Sequence, residues 1–208
     1  MADGERLPAG HFFAGLKRNG YPVIITDPPW SFTTRSEAGQ GRSPSQHYRT
    51  RPLSEIMTDP VADLAAPDCH LFLWTTGPMV AAGMHVEVLK AWGFKPSSLA
   101  FVWLKTNDPD AIRYADSWDE VFFMGNGFTT RQNAELVILA RRGAPKRIAT
   151  DVRQVIVTRR WEHSRKPAEL RRRVERYTGA KGVELYSRSS GPGWDVWGDE
   201  VGKFDVVG

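Results

Sequence analysis

The sequence predicts a doubly wound α/β domain built on a mostly parallel sheet. Three observations predict it. Apolar, β-branched or aromatic runs of strand length recur at 23–26, 71–74, 99–104, 135–140, 154–157 and 183–186. Helical patterns lie between several of them, and that alternation marks a sheet covered on both faces. The 208 residues are enough to bury one such core, so residues 1–208 read as a single domain.

In chain order, residues 1–20 mix Gly, Pro and basic residues and read as an irregular lead-in, with Phe12 and Phe13 packing back onto the core. Val23-Ile24-Ile25-Thr26 is the first buried strand. It ends on Asp27-Pro28-Pro29-Trp30. Residues 31–52 hold almost no apolar side chain. A loop of that length in a compact domain is usually functional or disordered, and Tyr48 within it is a candidate to fold over a bound base. Residues 52–64 read as a short helical connection, and Leu71-Phe72-Leu73-Trp74 as the second strand. Over 79–92 the pattern is one helix. Val80, Met84, Val88 and Trp92 recur every fourth position as a core-facing stripe, with Gly93 at the position just past the helix end. Residues 99–104 form a third strand and 105–130 a second long loop. Two further strands follow at 135–140 and 154–157. Pro167 suits the first position of a helix whose Leu170, Val174 and Tyr177 face inward. A strand at 183–186 and the segment 194–200 close the chain.

Composition narrows the chemistry. The single cysteine, Cys69, excludes disulfides and a cysteine-based zinc site, and no metal is expected. No apolar run approaches transmembrane length, and no apolar signal segment opens the chain, so the expected location is cytoplasmic. Neither a G-x-G-x-x-G nor a Walker lysine loop is present. The net charge is +4, but residues 131–176 carry 14 Lys+Arg against 5 Asp+Glu, a local net of +9. The basic charge is therefore concentrated in the later half, where Arg159, Arg160, Arg165 and Arg172 are candidates for phosphate contact. The partner this charge fits is a nucleic acid, not a membrane.

The turn at Asp27 is the candidate reactive centre. Ligands in open α/β sheets sit beyond the carboxyl ends of strands. Proline has a set φ and no N–H, and it drives the preceding residue to extended backbone. The turn thus offers rigid acceptors: the Asp27 carboxylate and carbonyls expected to lack local donors. An exocyclic amine carries two N–H donors and suits that frame. With one N–H on Asp27 and one on the Pro28 carbonyl, the nitrogen lone pair leaves ring conjugation and can be aimed at an electrophile, a positioning effect worth on the order of 7 kcal/mol or more in well-oriented cases. Trp30 offers a face on which a base can stack, or else it packs in the core.

Several stretches together resemble one family. They are Ile25-Thr26-Asp27-Pro28-Pro29-Trp30, Leu71-Phe72-Leu73-Trp74, Ala91-Trp92-Gly93-Phe94, Val102-Trp103-Leu104-Lys105, His163-Ser164-Arg165-Lys166-Pro167, Glu184-Leu185-Tyr186-Ser187-Arg188, and the run 193–200. In this order they resemble the adenine-N(6) methyltransferases typified by the catalytic subunit of the eukaryotic mRNA adenosine methyltransferase, and small bacterial and phage members are most similar. The resemblance implies a Rossmann-like fold that uses S-adenosyl-L-methionine, with the catalytic turn ahead of the main cofactor segment. It assigns Asp27, Pro28, Pro29 and Trp30 to the target amine. It places Lys166 near the cofactor's carboxylate or Asp27, Tyr186, Arg188 and Ser189 along the cofactor pocket, and Asp199 and Glu200 toward its ribose. Tyr48, Lys105 and Glu135 fall on the substrate and gate side, with loops 31–52 and 105–130 as the gate. Ala134 stands where the phage pattern has His, and Ser189 and Ser190 replace other polar residues.

The resulting expectation is methyl transfer to the N(6) amine of adenine in nucleic acid, DNA favoured over RNA, with low sequence specificity because no separate recognition domain is evident. The alternatives are an RNA adenine methyltransferase, a non-catalytic nucleic-acid-binding subunit, and a methyltransferase for another amine. Monomer and homodimer are both open.

Overall fold

The computed structural model describes residues 5–31, 50–125, 129–162 and 165–205. Among these, the strands are β1 (Tyr21–Thr26), β2 (Ala65–Thr75), β3 (Lys95–Thr106), β4 (Ala134–Arg142), β5 (Val155–Arg159), β6 (Val183–Leu185) and β7 (Asp195–Trp197). They form one sheet in the order β5-β3-β4-β2-β1-β6-β7. β1 pairs in parallel with β2 and β6, β6 with β7, and β3 with β5. β4 alone runs against its neighbours β2 and β3. The expected mostly parallel sheet is present, with one reversed strand in its middle.

Strand alternation sorts the apolar residues onto the two faces. Ile24, Leu71, Leu73, Ile138, Val183 and Leu185 share one core with Val88, Leu89 and Trp92. Val23, Ile25, Phe72, Trp74, Phe101 and Trp103 share the other with Leu170 and Val174. Both faces are covered, which is why the strands read as continuous apolar runs. Close packing of β6 on β1 requires Gly182: a Cβ there would lie 1.8 Å from the Val23 carbonyl oxygen.

The helices are α1 (Leu53–Ile56), α2 (Gly77–Ala81), α3 (Met84–Ala91), α4 (Trp118–Val121) and α5 (Glu169–Thr178). The single helix expected over 79–92 is two, because Gly83 turns left-handed at φ 72° between α2 and α3. The break rotates Met84 out of the stripe to 39% exposure, while Val88 and Trp92 stay buried. Pro167 precedes the Ala168 cap of α5 rather than opening the helix. Residues 105–130 are not a plain loop. β3 runs on to Thr106, a 3-10 turn spans Pro109–Arg113, and α4 follows. In the lead-in Phe13 is fully buried, whereas Phe12 stays 43% exposed and lies on Trp197. The expected gate residue Tyr48 lies outside the described residues, as does His163. Among the described residues no helix is long and apolar enough to cross a membrane.

Candidate active site

Asp27 leaves the carboxyl end of β1, and the same end of the sheet gathers its partners. Lys166 arrives from the segment before α5, and its Nζ lies 3.0 Å from Asp27 Oδ2. The same Nζ donates to Glu135 Oε2 at 2.7 Å. Glu135 Oε1 accepts in turn from Lys105 Nζ. Asp27, Lys166, Glu135 and Lys105 thus form a row of alternating charges. The reversed direction of β4 makes the row possible. Glu135 opens β4, and only an antiparallel strand starts at the end where β1 and β3 finish.

Two indoles floor this row. Lys166 Nζ lies 5.0 Å from the centre of the Trp74 ring, and Lys105 Nζ 4.8 Å from that of Trp103. The two indoles meet edge to face with centroids 6.0 Å apart. Ammonium groups over aromatic faces are attracted by the ring quadrupole, most strongly where water is excluded. All four charged side chains are shielded from solvent, at 18–23% exposure.

The row does not treat its two carboxylates alike. Burial drives both toward protonation. At Glu135, Lys166 and Lys105 outweigh burial and hold the carboxyl at about 2. At Asp27 burial prevails: with Lys166 as its main cation and Glu135 nearby as a like charge, its pKa is raised. Lys166, opposed by burial but facing two carboxylates, is held firmly protonated. The Lys166 ammonium lies against Asp27 Oδ2, and a carboxylate has acceptor lone pairs beyond one such contact.

The turn itself corrects one expectation. Its carbonyls do have donors: the Trp30 N–H donates to the Pro28 oxygen at 2.8 Å and the Arg51 N–H to the Pro29 oxygen at 2.8 Å. The first contact closes a three-residue turn. A carbonyl has two lone pairs, so Pro28 keeps one for a ligand. Trp30 is also not an open platform. It is 5% exposed, packs in the core and donates Nε1 to the Trp74 carbonyl at 3.3 Å. Its place is beneath the turn as an anchor.

On the cofactor side, the residues named from the sequence fall into different settings. Arg188 Nε pairs with Glu200 Oε2 at 2.9 Å, and Arg188 lies close enough to Asp27 to favour its charge. Asp199 is exposed. Ser189 is partly committed: its carbonyl accepts from Arg171 Nη2 at 2.8 Å. Arg171 also binds Glu184 and the Ser190 carbonyl, so it fastens residues 187–190 onto β6. Tyr186 turns away from this side and donates its hydroxyl to Asp59. A cleft of about 380 Å³ opens beside Lys166, lined among others by Trp74, Arg165, Arg171, Glu184 and Ser189.

The basic candidates disperse. Arg159 ends the edge strand β5 and Arg160 follows it, with the Arg160 guanidinium 4.3 Å from the Phe123 ring centre. Arg165 lies over Trp161 and Phe204. Arg172 projects from α5, its side chain 74% exposed, with Glu169 at 2.8 Å. Sequence reasoning missed Trp103, Arg171, Glu184, Arg51 and Asp59. For Arg171 and Glu184 the available signal was charge at strand-facing positions, which a burial pattern would flag. Among the described residues, no cluster of His, Cys, Asp and Glu could hold a metal.

Residues 21–200 match the MT-A70 family profile. The chain is 32% identical to the Type II methyltransferase M.MunI of Mycoplasma sp, over 93% of this chain and 83% of that protein. It is 29% identical to the N(6)-adenine-specific methyltransferase METTL4 of Homo sapiens, over 91% of this chain and 39% of that one. It is 31% identical to the N6-methyladenosine RNA methyltransferase MTA1 of Cryphonectria parasitica, over 88% of this chain and 52% of that one. The chain thus spans about half or less of the length of the latter two relatives.

Proposed function

This chain belongs to the MT-A70 family, and we propose that it methylates the N(6) amine of adenine in DNA with S-adenosyl-L-methionine as donor. The observation that carries the chemistry is the row of charges ending on Asp27, a shielded carboxylate held by Lys166 at the residue before Pro28. The adenine amine donates one N–H to Asp27 and the other to the second lone pair of Pro28. That geometry draws the nitrogen lone pair out of the ring and aims it. After transfer the nitrogen is cationic and acidic, and its proton passes to Asp27 or water. The raised pKa of Asp27 suits a carboxylate that receives a proton after the chemical step. Trp30 anchors the turn from below, and Lys105 and Glu135 hold Lys166 in register.

The cleft beside Lys166 fits the proposed donor. It offers an ammonium for a carboxylate, the buried Glu184 and aromatic walls. When bound there, S-adenosyl-L-methionine supplies an electrophilic methyl group. Lys166 would hold its carboxylate and Ser189 would line its site, while Arg188, Asp199 and Glu200, which are not among the residues lining this cleft, are the residues that would hold its ribose. Tyr186 acts on that segment from beneath rather than as a wall of the cleft.

DNA is favoured because the relative whose length the chain nearly matches is a Type II methyltransferase, whereas the chain covers only about half of the RNA methyltransferase. In a duplex the target base must leave the stack, at a cost of a few kcal/mol. The exposed arginines hold phosphate without reading sequence, so we expect a short or weak target preference. Labelled-methyl transfer to single-stranded DNA, duplex DNA and RNA tests the substrate; a preference for RNA overturns the DNA assignment. Asp27→Ala is expected to abolish transfer with the fold intact, and retained turnover overturns the role of the turn.

A further inference from the structure

On the opposite face of the sheet from the charge row lies a second buried polar network. Asp59 is 5% exposed. Its two oxygens each accept from Arg51, at 2.8 Å from Nη1 and 2.8 Å from Nη2. The paired, fork-to-carboxylate form restricts both partners in angle as well as distance. Asp59 also accepts from the Tyr186 hydroxyl. Arg51 Nη2 donates further to the Glu55 carbonyl at 3.1 Å, and the guanidinium packs 5.4 Å from the Phe12 ring centre.

Each end of this network is joined to a different half of the active site. The Arg51 main chain pairs with the turn: its N–H donates to the Pro29 oxygen at 2.8 Å, and its oxygen accepts from the Ser31 N–H at 3.2 Å. Residues 31 and 51 are thereby drawn together on either side of residues 32–49. At the other end Tyr186 follows β6 directly and precedes Arg188 and Ser189.

Tyr186 reaches Asp59 only through an unusual backbone. Its φ is +58°, a left-handed conformation that is strained for a bulky side chain. In a regular strand Tyr186 would point to the face of Glu184, opposite Leu185. Instead Leu185 and Tyr186 pack against the same core. The flip is built in from the other side as well. Gly198 lies so close that a Cβ there would sit 2.7 Å from the Ser187 oxygen and 3.0 Å from the Tyr186 carbonyl carbon. Strain held in place by hydrogen bonds and a tight glycine contact marks a position that the fold over-determines.

We propose that Arg51, Asp59 and Tyr186 form a strut that sets the distance between the amine-holding turn at Pro28–Ser31 and the cofactor-side segment at Arg188–Ser189. They are positioning residues, since none touches the reacting atoms. This assignment rests on the methyl-transfer reading above. In-line transfer is sensitive to the separation of donor and acceptor, and a displacement of about 1 Å can cost on the order of 100-fold in rate. A strut between the two halves therefore acts on turnover more than on binding of either partner.

Two mild variants test it, Tyr186→Phe, which deletes one hydroxyl, and Arg51→Lys, which keeps the charge and the main-chain bridge but loses the fork. Amide hydrogen exchange on the full chain reads the strut without any activity. Faster exchange at Trp30, Ser31 and Arg51, with β2 unchanged, is expected in both variants; unchanged exchange at those amides overturns the strut. Steady-state kinetics then read its role. Turnover is expected to fall roughly 10- to 100-fold while KM for S-adenosyl-L-methionine and for oligonucleotide each stay within about threefold. Loosened amides with undiminished turnover, or a loss confined to KM, overturn the positioning role. Absence of methyl transfer in the unaltered chain refutes the methyl-transfer reading, and the positioning role with it.

Discussion

The two polar networks that flank the end of β1 are built to opposite rules. The row on the α5 face shares one lysine between two acids, and the pKa of Asp27 is raised. The Arg51–Asp59–Tyr186 network on the other face is closed, with both Asp59 oxygens taken. A reactive carboxylate must keep an acceptor free and tolerate a costly charge. A positioning carboxylate does the reverse, because a buried polar group is rigid only when fully paired. The same residue type thus serves chemistry on one face and geometry on the other.

The sharpest way to break this comparison is to remove the charge of Asp27. Asp27→Asn should lower turnover on the order of 10³-fold, since both the acceptor and the later proton site are lost. It should also melt higher than the parent protein at neutral pH. A raised folded pKa means that the ionised form is disfavoured in the fold, so its charge reduces stability as pH rises past the ordinary carboxylate range. A variant that loses activity and melts lower would place Asp27 among the structural acids instead.

Lys166→Met comes next. It leaves Asp27 and Glu135 without their shared cation, so the pKa of Asp27 moves further up. Turnover is expected to drop about 100-fold and the acid limb of the rate–pH profile to shift to higher pH. An unmoved limb would mean that Asp27 does not set it. Glu135→Gln probes the stabilising acid. Its carboxyl falls from 4.5 to about 2 on folding, so it contributes stability above the unfolded value that is lost as pH falls through about 2. The contribution is on the order of 3 kcal/mol at neutral pH. Urea unfolding should show the variant weaker by that order at neutral pH, with the difference vanishing near pH 2; a constant difference would contradict the assignment. The smallest effect is expected outside both networks. Arg172→Ala should weaken DNA binding by a few-fold on any sequence and lower the salt slope by about one, measured by fluorescence anisotropy across salt concentrations.

Much of the site was legible before any coordinates. Asp27 stood out from the sequence as a carboxylate at a strand end before two prolines, whereas Lys166, Glu135 and Lys105 were named through the resemblance to the adenine-N(6) methyltransferases. What failed to show was partnership. Nothing local distinguishes Asp59 in a polar connection, yet it meets Tyr186 across 127 positions of sequence. Arg171 read as one of several helix arginines, and only the packing of α5 turns it inward onto Glu184 and Ser189 while leaving Arg172 in water. Trp30 was ambiguous for a related reason: an aromatic after a strand can line a pocket or fill a core, and the neighbouring elements decide.

The sequence by itself determined the alternation of strands and helices, the rigid acceptor turn at Asp27-Pro28-Pro29-Trp30, and the basic later half. Each depends on periodicity, on proline's covalent geometry or on charge, all of which act locally. Tertiary structure decided the rest. It set β4 against its neighbours so that Glu135 reaches Lys166, broke the helix at Gly83, supplied the turn carbonyls with donors from Trp30 and Arg51, and flipped Tyr186 onto the face of Asp59. The reversal of β4, the Arg51 donor and the flip of Tyr186 turn on which distant groups meet once the core closes, and a one-dimensional pattern carries no term for that.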